Sequence, residues 1–234
     1  MRILAIGDIH GCSTALDSLL NWVHLQNYDV IVTLGDYVNK GPDTKGVLDR
    51  LIALHEQGQL VPIRGNHDLM FLLARSLPEE KVAQDRITPE TLASYGTQEN
   101  GEPINITDIP DRHYRFLAQT CLNYWETEDC FFLHATADPD LPLDQQPYDN
   151  LFWQKFKSPR PHQSGKVMIC GHTSQKNGQP VNLGHAICID TWACGEGWLT
   201  ALDVNTGEVW QANQQGARQR NHIRDFQPQA IAIA

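Results

Sequence analysis

The sequence lacks several features that would place it in common classes of protein. No apolar run approaches the ~20 residues needed to cross a bilayer, and no basic leader with an apolar core precedes the first predicted strand. The cysteines form no CxxC pair and have no regular spacing. We therefore expect reduced thiols in a cytoplasmic protein rather than a disulfide framework, a secreted chain or a membrane protein.

Positive charge is also scarce. The chain has 18 Lys and Arg against 28 Asp and Glu, a formal net charge of −10. Such a surface is poorly suited to nucleic acid or to an anionic membrane, so neither is expected as a partner. A substrate that carries phosphate would have to be held locally, by metal ions and a few cations.

The first third of the chain alternates between short apolar runs and segments of helical periodicity. This β-α-β-α-β-α order predicts a parallel sheet, whose ligands bind at the carboxyl ends of the strands. The predicted strands are Arg2–Gly7, Tyr28–Leu34 and Leu60–Arg64. The predicted helices begin at a cap on Ser13, at Pro42 and near Asn66, and the third is expected to turn Leu69, Met70, Leu72 and Leu73 inward.

The rest of the chain changes character twice. The segment from about 77 to 110 is polar and punctuated by Pro and Gly, and we interpret it as a lid-like insertion in a single domain, 1–234. A helix is expected over Asp111–Thr120. Strands are expected near Asn123–Glu126 and Cys130–His134. An antiparallel run separated by turns, with a hairpin turn at Val204–Gly207, is then expected to form a second sheet packed on the first. Its strands are Val167–Cys170, Ala186–Asp190, Gly197–Asp203 and Glu208–Gln211.

Polar residues that can bind metals follow five of the predicted strands. Each has an ordinary explanation on its own, as a turn residue, a helix cap or a hydrogen-bonded core histidine. Such separate explanations are harder to accept for all five strand ends at once, and the five together predict a metal centre. The residues are Asp8 and His10, then Asp36, then Asn66 and His67, then His134, and finally His172.

The local motifs resemble those of the calcineurin-like metallophosphoesterases. They read GDIHG, GDYVNKG, GNHD, LHA and GHT in order along the chain, and their spacing is most similar to the phosphoprotein phosphatase branch, including bacterial serine/threonine protein phosphatases. The resemblance covers residues 1 to about 213. It implies an α/β (α+β four-layer) fold in which two mixed β-sheets are flanked by helices.

The resemblance also implies roles for these residues. Asp8 and His10 would hold a first divalent ion, Asp36 would bridge two ions, and Asn66, His134 and His172 would hold the second. Mn²⁺ is expected, with an Fe/Zn pair as the alternative, and the ions would activate a water that attacks phosphorus. His67 would be the general acid.

Two positions depart from the pattern of the resembled family, whose central motif usually reads GDYVDRG. Asn39 stands where an aspartate normally hydrogen-bonds the catalytic histidine; we expect its carbonyl oxygen to orient His67 without adding charge. Lys40 replaces a phosphate-gripping arginine, and Lys155 stands at a second position of that kind.

Three functions are compatible with the motifs. The leading expectation is a metal-dependent phosphomonoesterase similar to serine/threonine protein phosphatases, with a phosphorylated protein or a small phosphate ester as substrate. The second is a hydrolase of dinucleoside polyphosphates such as diadenosine tetraphosphate. It is mildly disfavoured by the scarcity of basic residues outside the motifs. The third, motivated by Asn39 and Lys40, is a catalytically weakened protein that binds phosphorylated partners.

Overall fold

The computed structural model describes residues 1–75 and 87–227. Its first sheet is built around three parallel strands, which pair in the order β1-β2-β3. Ala5 lies opposite Val32, and Val32 lies opposite Val61. The strand bounds are β1 Ile3–Ile6, β2 Val30–Thr33 and β3 Leu60–Pro62, so the predicted parallel start is confirmed.

Helices α1 Ser13–Trp22 and α2 Thr44–Glu56 connect these strands. Helix α1 begins one residue earlier than expected, at Ser13 itself, and α2 begins later than expected, at Thr44 rather than Pro42. The cap of α2 is Asp43, whose side chain accepts the N–H of Gly46 at 2.8 Å and satisfies one of the unpaired donors of the first turn.

Helix α3, Asn66–Ala74, follows β3 directly. The expected inward face is confirmed only in part, since Leu69 and Leu72 pack half-buried against the core. Phe71 and Ala74 are buried, whereas Leu73 is 52% exposed. The helix starts at Asn66, and the side chains of Asn66 and Asp68 in its first turn point into the protein. This orientation fixes which later side chains of the helix face the core.

The second sheet is made from the middle of the chain. Its strands pair in the order β4-β5-β6-β8-β7, and the neighbours β5, β6 and β8 are parallel. The short helix α6 Tyr148–Phe152 packs on this sheet. Helices α4 Pro89–Ala93 and α5 Asp111–Arg115 pack instead in the core on the helix side of the first sheet, and α5 continues as a π-helical turn over Phe116–Thr120. The strands are β4 Tyr124–Glu126, β5 Cys130–Leu133, β6 Val167–Cys170, β7 Val181–Asn182 and β8 Ala186–Cys188.

The expected antiparallel second sheet is corrected in two ways. Its first two strands, β6 and β8, do lie in the second sheet but are parallel, and the last strands join the first sheet instead. These last strands are β9 Asp190–Thr191, β10 Trp198–Asp203, β11 Glu208–Ala212 and β12 Arg218–His222. Strand β10 pairs antiparallel with β1, and the chain turns at Val204–Gly207 into β11. This arrangement satisfies the backbone groups along the second edge of β1, which would otherwise be unpaired in the interior.

The two sheets face each other across a shared apolar layer. Ala5, Val32 and Leu34 of the first sheet pack there with Phe132 and Ile169 of the second. Helices α1 and α2 cover the outer face of the first sheet, and α6 covers that of the second. The result is two mixed β-sheets flanked by helices, as expected.

The structure also bears on the expectations about the cysteines and about membrane-spanning segments. The six cysteines are free thiols. Within 1–75 and 87–227, no helix combines the length and apolar character that a bilayer crossing requires. Of the lid-like insertion, residues 77–86 lie outside the described part of the chain; the rest forms α4 and the loops up to α5.

Candidate metal centre

The polar strand ends meet in a cleft between the two sheets. Asp8, Asp36 and Asn66 follow β1, β2 and β3 of the first sheet, while His134 and His172 follow β5 and β6 of the second. All are buried. The cleft is therefore not an edge of one sheet but the line where the carboxyl ends of two parallel strand sets come together.

The backbone bends sharply at these residues. His10, Asp36 and His172 have φ angles of 46°, 52° and 63°, a region that costs a non-glycine residue roughly 1–3 kcal/mol. Such conformations persist only where surrounding contacts hold them. They turn each side chain back from its strand into the cleft.

Asp68 supplies one of those contacts. Its buried carboxylate accepts three backbone N–H groups, from Gly65 at 2.8 Å and from Asp36 and Tyr37 at 2.9 Å each. It thereby joins the turn after β2 to the turn after β3. Sequence reasoning missed this residue, although it directly follows His67 in the GNHD motif.

Each of the three candidate ligand histidines has one ring nitrogen tied to a backbone carbonyl. Nδ1 of His10 donates to Val38 O at 2.9 Å, and Nδ1 of His134 donates to Leu34 O at 2.7 Å. Nε2 of His172 donates to Trp153 O at 3.1 Å. Such bonds fix the tautomer and leave the other nitrogen as a lone-pair donor, which is the arrangement of metal-binding histidines.

Asp36 lies between two groups of these donors. Its Oδ2 is 3.3 Å from Nε2 of His10, and its Oδ1 is 3.4 Å from Nε2 of His134. The carboxylate of Asp36 belongs to two groups of three possible metal ligands, and within each group the ligand atoms lie within 4.8 Å of one another. One group is His10, Asp36 and His67, and the other is Asp36, His134 and His172.

Asn66 and Asp8 complete the cluster. The Oδ1 atom of Asn66 lies 2.9 Å from Nε2 of His134 and 3.0 Å from Nδ1 of His172. Asp8 accepts the backbone N–H of His172 at 3.1 Å, and a side chain at Gly171 would overlap its Oδ1 atom. The sheets are thus in direct contact through Asp8 and the loop that carries His172.

Electrostatics in the cleft favour a cation. Burial raises the pKa of Asp36 to about 7 and that of Asp8 well above its usual range. Burial also lowers the pKa of His134 and His172 to about 3, so both rings are neutral and can ligate. Desolvated carboxylates beside neutral imidazoles form a donor set that a divalent ion would stabilise.

Asn39 contacts His67 with the opposite end of its amide from the one expected. Its Oδ1 accepts the backbone N–H of Thr88 at 3.1 Å and the hydroxyl of Thr91 at 3.2 Å. Because a backbone N–H can only donate, this fixes the amide orientation, and Nδ2 faces Nδ1 of His67 at 3.1 Å. Neutral His67 therefore carries its proton on Nε2.

The two lysines also reach the cleft. Nζ of Lys40 lies 2.9 Å from Nε2 of His10, and Nζ of Lys155 donates to the backbone carbonyl of His172 at 3.3 Å. Burial, with Lys40 as the next cause, lowers the pKa of His67 to about 3. Thr88 and Thr91, which orient Asn39, were not recognised as part of the site, because nothing in the sequence near Thr88 resembles a motif.

Curated relatives match a limited part of the chain. A symmetrical bis(5'-nucleosyl)-tetraphosphatase of Acidovorax sp. (strain JS42) is 41% identical over 75 residues, which is 32% of this chain and 26% of that protein. Serine/threonine-protein phosphatase 1 of Salmonella typhimurium (strain LT2) is 36% identical over 76 residues, 32% of this chain and 33% of that protein. The alignments thus span only about a quarter to a third of these relatives.

The fold as a whole is shared with solved structures. A protein assigned as a diadenosine tetraphosphatase superposes with a TM-score of 0.63 at 23% identity, covering 94% of this chain and 93% of that one. The profile of the calcineurin-like phosphoesterase family matches residues 1–195, which include all six candidate metal ligands. This chain belongs to the calcineurin-like phosphoesterase family.

Proposed function

We propose that the chain hydrolyses phosphoanhydrides of the dinucleoside polyphosphate class with two divalent ions held in the cleft. Asp8 and His10 would hold one ion; Asn66, His134 and His172 would hold the other, and Asp36 would bridge them. The observation that carries the proposal is the position of Asp36, whose two oxygens face histidines from two different sheets.

The ions, Mn²⁺ or an Fe/Zn pair, would supply Lewis-acid polarisation of the phosphoryl group and activation of the attacking water. The chain's own residues do the rest. Carbonyl groups fix the tautomers of the three imidazoles and aim them into the cleft, and burial keeps the rings neutral by lowering the pKa of each. The ammonium groups of Lys40 and Lys155 would bind phosphoryl oxygens, and His67 would donate a hydrogen bond from Nε2 to the leaving oxygen.

The contact between Asn39 and His67 supports an anhydride substrate. A serine or threonine alkoxide needs a full proton as it leaves, and His67 is poorly placed to carry one, because the amide hydrogens of Asn39 face its Nδ1 atom. A nucleoside diphosphate is a stable anion and leaves without a proton. The tetraphosphatase activity named for the Acidovorax relative agrees with this choice.

A serine/threonine phosphatase is the second candidate, and the Salmonella relative favours it. The two are separated by comparing kcat/KM for diadenosine tetraphosphate and for a phosphoserine peptide, with Mn²⁺ present. The proposal expects the dinucleotide to be preferred by at least about tenfold. A preference for the peptide would refute it in favour of the second candidate. Absence of hydrolysis of either substrate and of para-nitrophenyl phosphate, with metal bound, would support a phosphoprotein-binding role.

A further inference from the structure

A polar cavity of about 230 Å³ opens beside the metal centre on the side of the second sheet. One wall follows His134, at Thr136 and Asp138, and the opposite wall is the loop after α6. The cavity is lined by Thr136, Ala137, Asp138, Pro139, Asn150, Gln154, Lys155, Lys157, Ser158 and Pro159.

The loop that forms the opposite wall is bonded to the His172 loop at three places. Trp153 O accepts from Nε2 of His172 at 3.1 Å, Lys155 Nζ donates to His172 O at 3.3 Å, and Phe156 N donates to the hydroxyl of Thr173 at 2.8 Å. The first wall is similarly held, since Thr136 N donates to Asn150 O at 2.9 Å. Both walls of the cavity are therefore fixed relative to candidate metal ligands.

Two lysines line this cavity from the same loop. Phe156 between them is buried in the core of the second sheet, while Lys155 and Lys157 are exposed and turned away from that core. Lys157 makes no hydrogen bond or ion pair with the described residues. Thr136 and Ser158 add hydroxyl groups to the lining.

One lining group opposes an anion. Asp138 carries a negative charge, but its Oδ1 accepts the backbone N–H of Asp140 at 3.0 Å, within its own loop. The two lysines outweigh it, which leaves the lining with one net positive charge in a chain whose net charge is −10. A positively charged cavity beside the proposed site of the reacting phosphoryl group would favour binding of a second phosphoryl group.

We propose that this cavity is a subsite for the phosphoryl group next to the scissile one, with Lys157 as its specificity residue for nucleoside di- and polyphosphates. The inference rests on the proposed function for the identity of the reacting group. Lys155, near the metal ligands, would contact the reacting phosphoryl group, and Lys157 would contact its neighbour. Substrates with a single phosphoryl group would leave Lys157 unused.

The test compares two ligands that differ by one phosphoryl group. ADP and AMP are assayed as inhibitors of para-nitrophenyl phosphate hydrolysis, with free Mn²⁺ held constant, and their binding is measured directly by calorimetry. In Lys157→Gln we expect ADP to bind about tenfold more weakly, the loss of one charge-assisted hydrogen bond. AMP should change less than twofold, and Lys157→Arg should restore ADP binding. The matched control is Lys166→Gln, since Lys166 pairs with Glu126 at 2.6 Å and does not line the cavity.

Equal effects on ADP and AMP, or no effect on either, would overturn the subsite, because a general structural or electrostatic role would produce the first and an idle surface lysine the second. This outcome is independent of whether diadenosine tetraphosphate is hydrolysed. If it is hydrolysed, the ratio of kcat/KM for that substrate to kcat/KM for para-nitrophenyl phosphate should also fall about tenfold in Lys157→Gln. If the wild-type protein hydrolyses para-nitrophenyl phosphate but not diadenosine tetraphosphate, the proposed function is refuted. The comparison of ADP with AMP would still test whether the cavity is a phosphoryl subsite.

Discussion

Asn39→Asp should convert His67 from a hydrogen-bond donor into a proton carrier. One oxygen of the new carboxylate can keep the bonds to the Thr88 N–H and the Thr91 hydroxyl, because it takes the place of Oδ1. The other replaces an NH₂ group 3.1 Å from Nδ1 of His67. A donor facing that nitrogen becomes an anionic acceptor, which favours a proton on Nδ1 and hence the imidazolium.

The size of the effect follows from the bond that forms. A hydrogen bond between two charged groups contributes about 1.5–3 kcal/mol, and 1.36 kcal/mol corresponds to a factor of ten in the protonation equilibrium. The substitution should raise the pKa of His67 from its present value of about 3 and increase its protonated fraction near neutral pH by roughly 10- to 100-fold.

The assay is a series of phosphate monoesters whose leaving groups range from para-nitrophenol to alkyl alcohols. In Asn39→Asp, kcat/KM should rise by up to about tenfold for alkyl esters, which need a proton on the leaving oxygen, and change little for para-nitrophenyl phosphate. The dependence of rate on leaving-group pKa should become shallower. The preference for diadenosine tetraphosphate over phosphoserine should shrink accordingly.

The control variant is Asn27→Asp, which adds the same charge in an exposed position ahead of β2, at the end of the strand away from the cleft. An equal gain for all leaving groups would refute the reasoning, because it would indicate a change in metal or phosphate binding rather than in proton delivery. An unchanged slope in Asn39→Asp would show that His67 does not serve the leaving group.

The other predictions concern the metal centre. Asp36→Asn should lower Mn²⁺ affinity and phosphate release by more than about a hundredfold, since removing even a supporting group of a ligand costs 10–100-fold; chelation of wild type should abolish release, and added Mn²⁺ should restore it. Asp68→Ala should lower the free energy of unfolding in urea by about 3 kcal/mol or more, because three buried N–H groups lose their acceptor, and unchanged stability would contradict the role given to that carboxylate. Gly171→Ala should push Asp8 out of position and weaken Mn²⁺ binding by calorimetry about tenfold or more; a variant that binds Mn²⁺ as wild type does would show that Asp8 tolerates the displacement.

Much of the fold was readable because its signals are local. The apolar runs of β1, β2 and β3 alternate with helical periodicity, and this order alone requires parallel strands joined by crossovers. The same order brings Asp8, Asp36 and Asn66 to the carboxyl ends of neighbouring strands. The family resemblance added the fold of two sheets, since no local pattern says which strands pair across 100 residues or more.

What the sequence by itself determined is the set of donors and their family: five strand ends with carboxylate, amide and imidazole groups, in motifs whose order is specific. Only the tertiary structure decided how those groups face one another. It placed β10 beside β1, and β11 beside β10, rather than in a second sheet. It turned the NH₂ group of Asn39 toward His67, because Thr88 supplies an N–H on the other side. It also brought Lys157 to a cavity beside the His172 loop. These are long-range contacts, set by packing and by the need to pair buried polar groups, and residue type and spacing along the chain do not contain them.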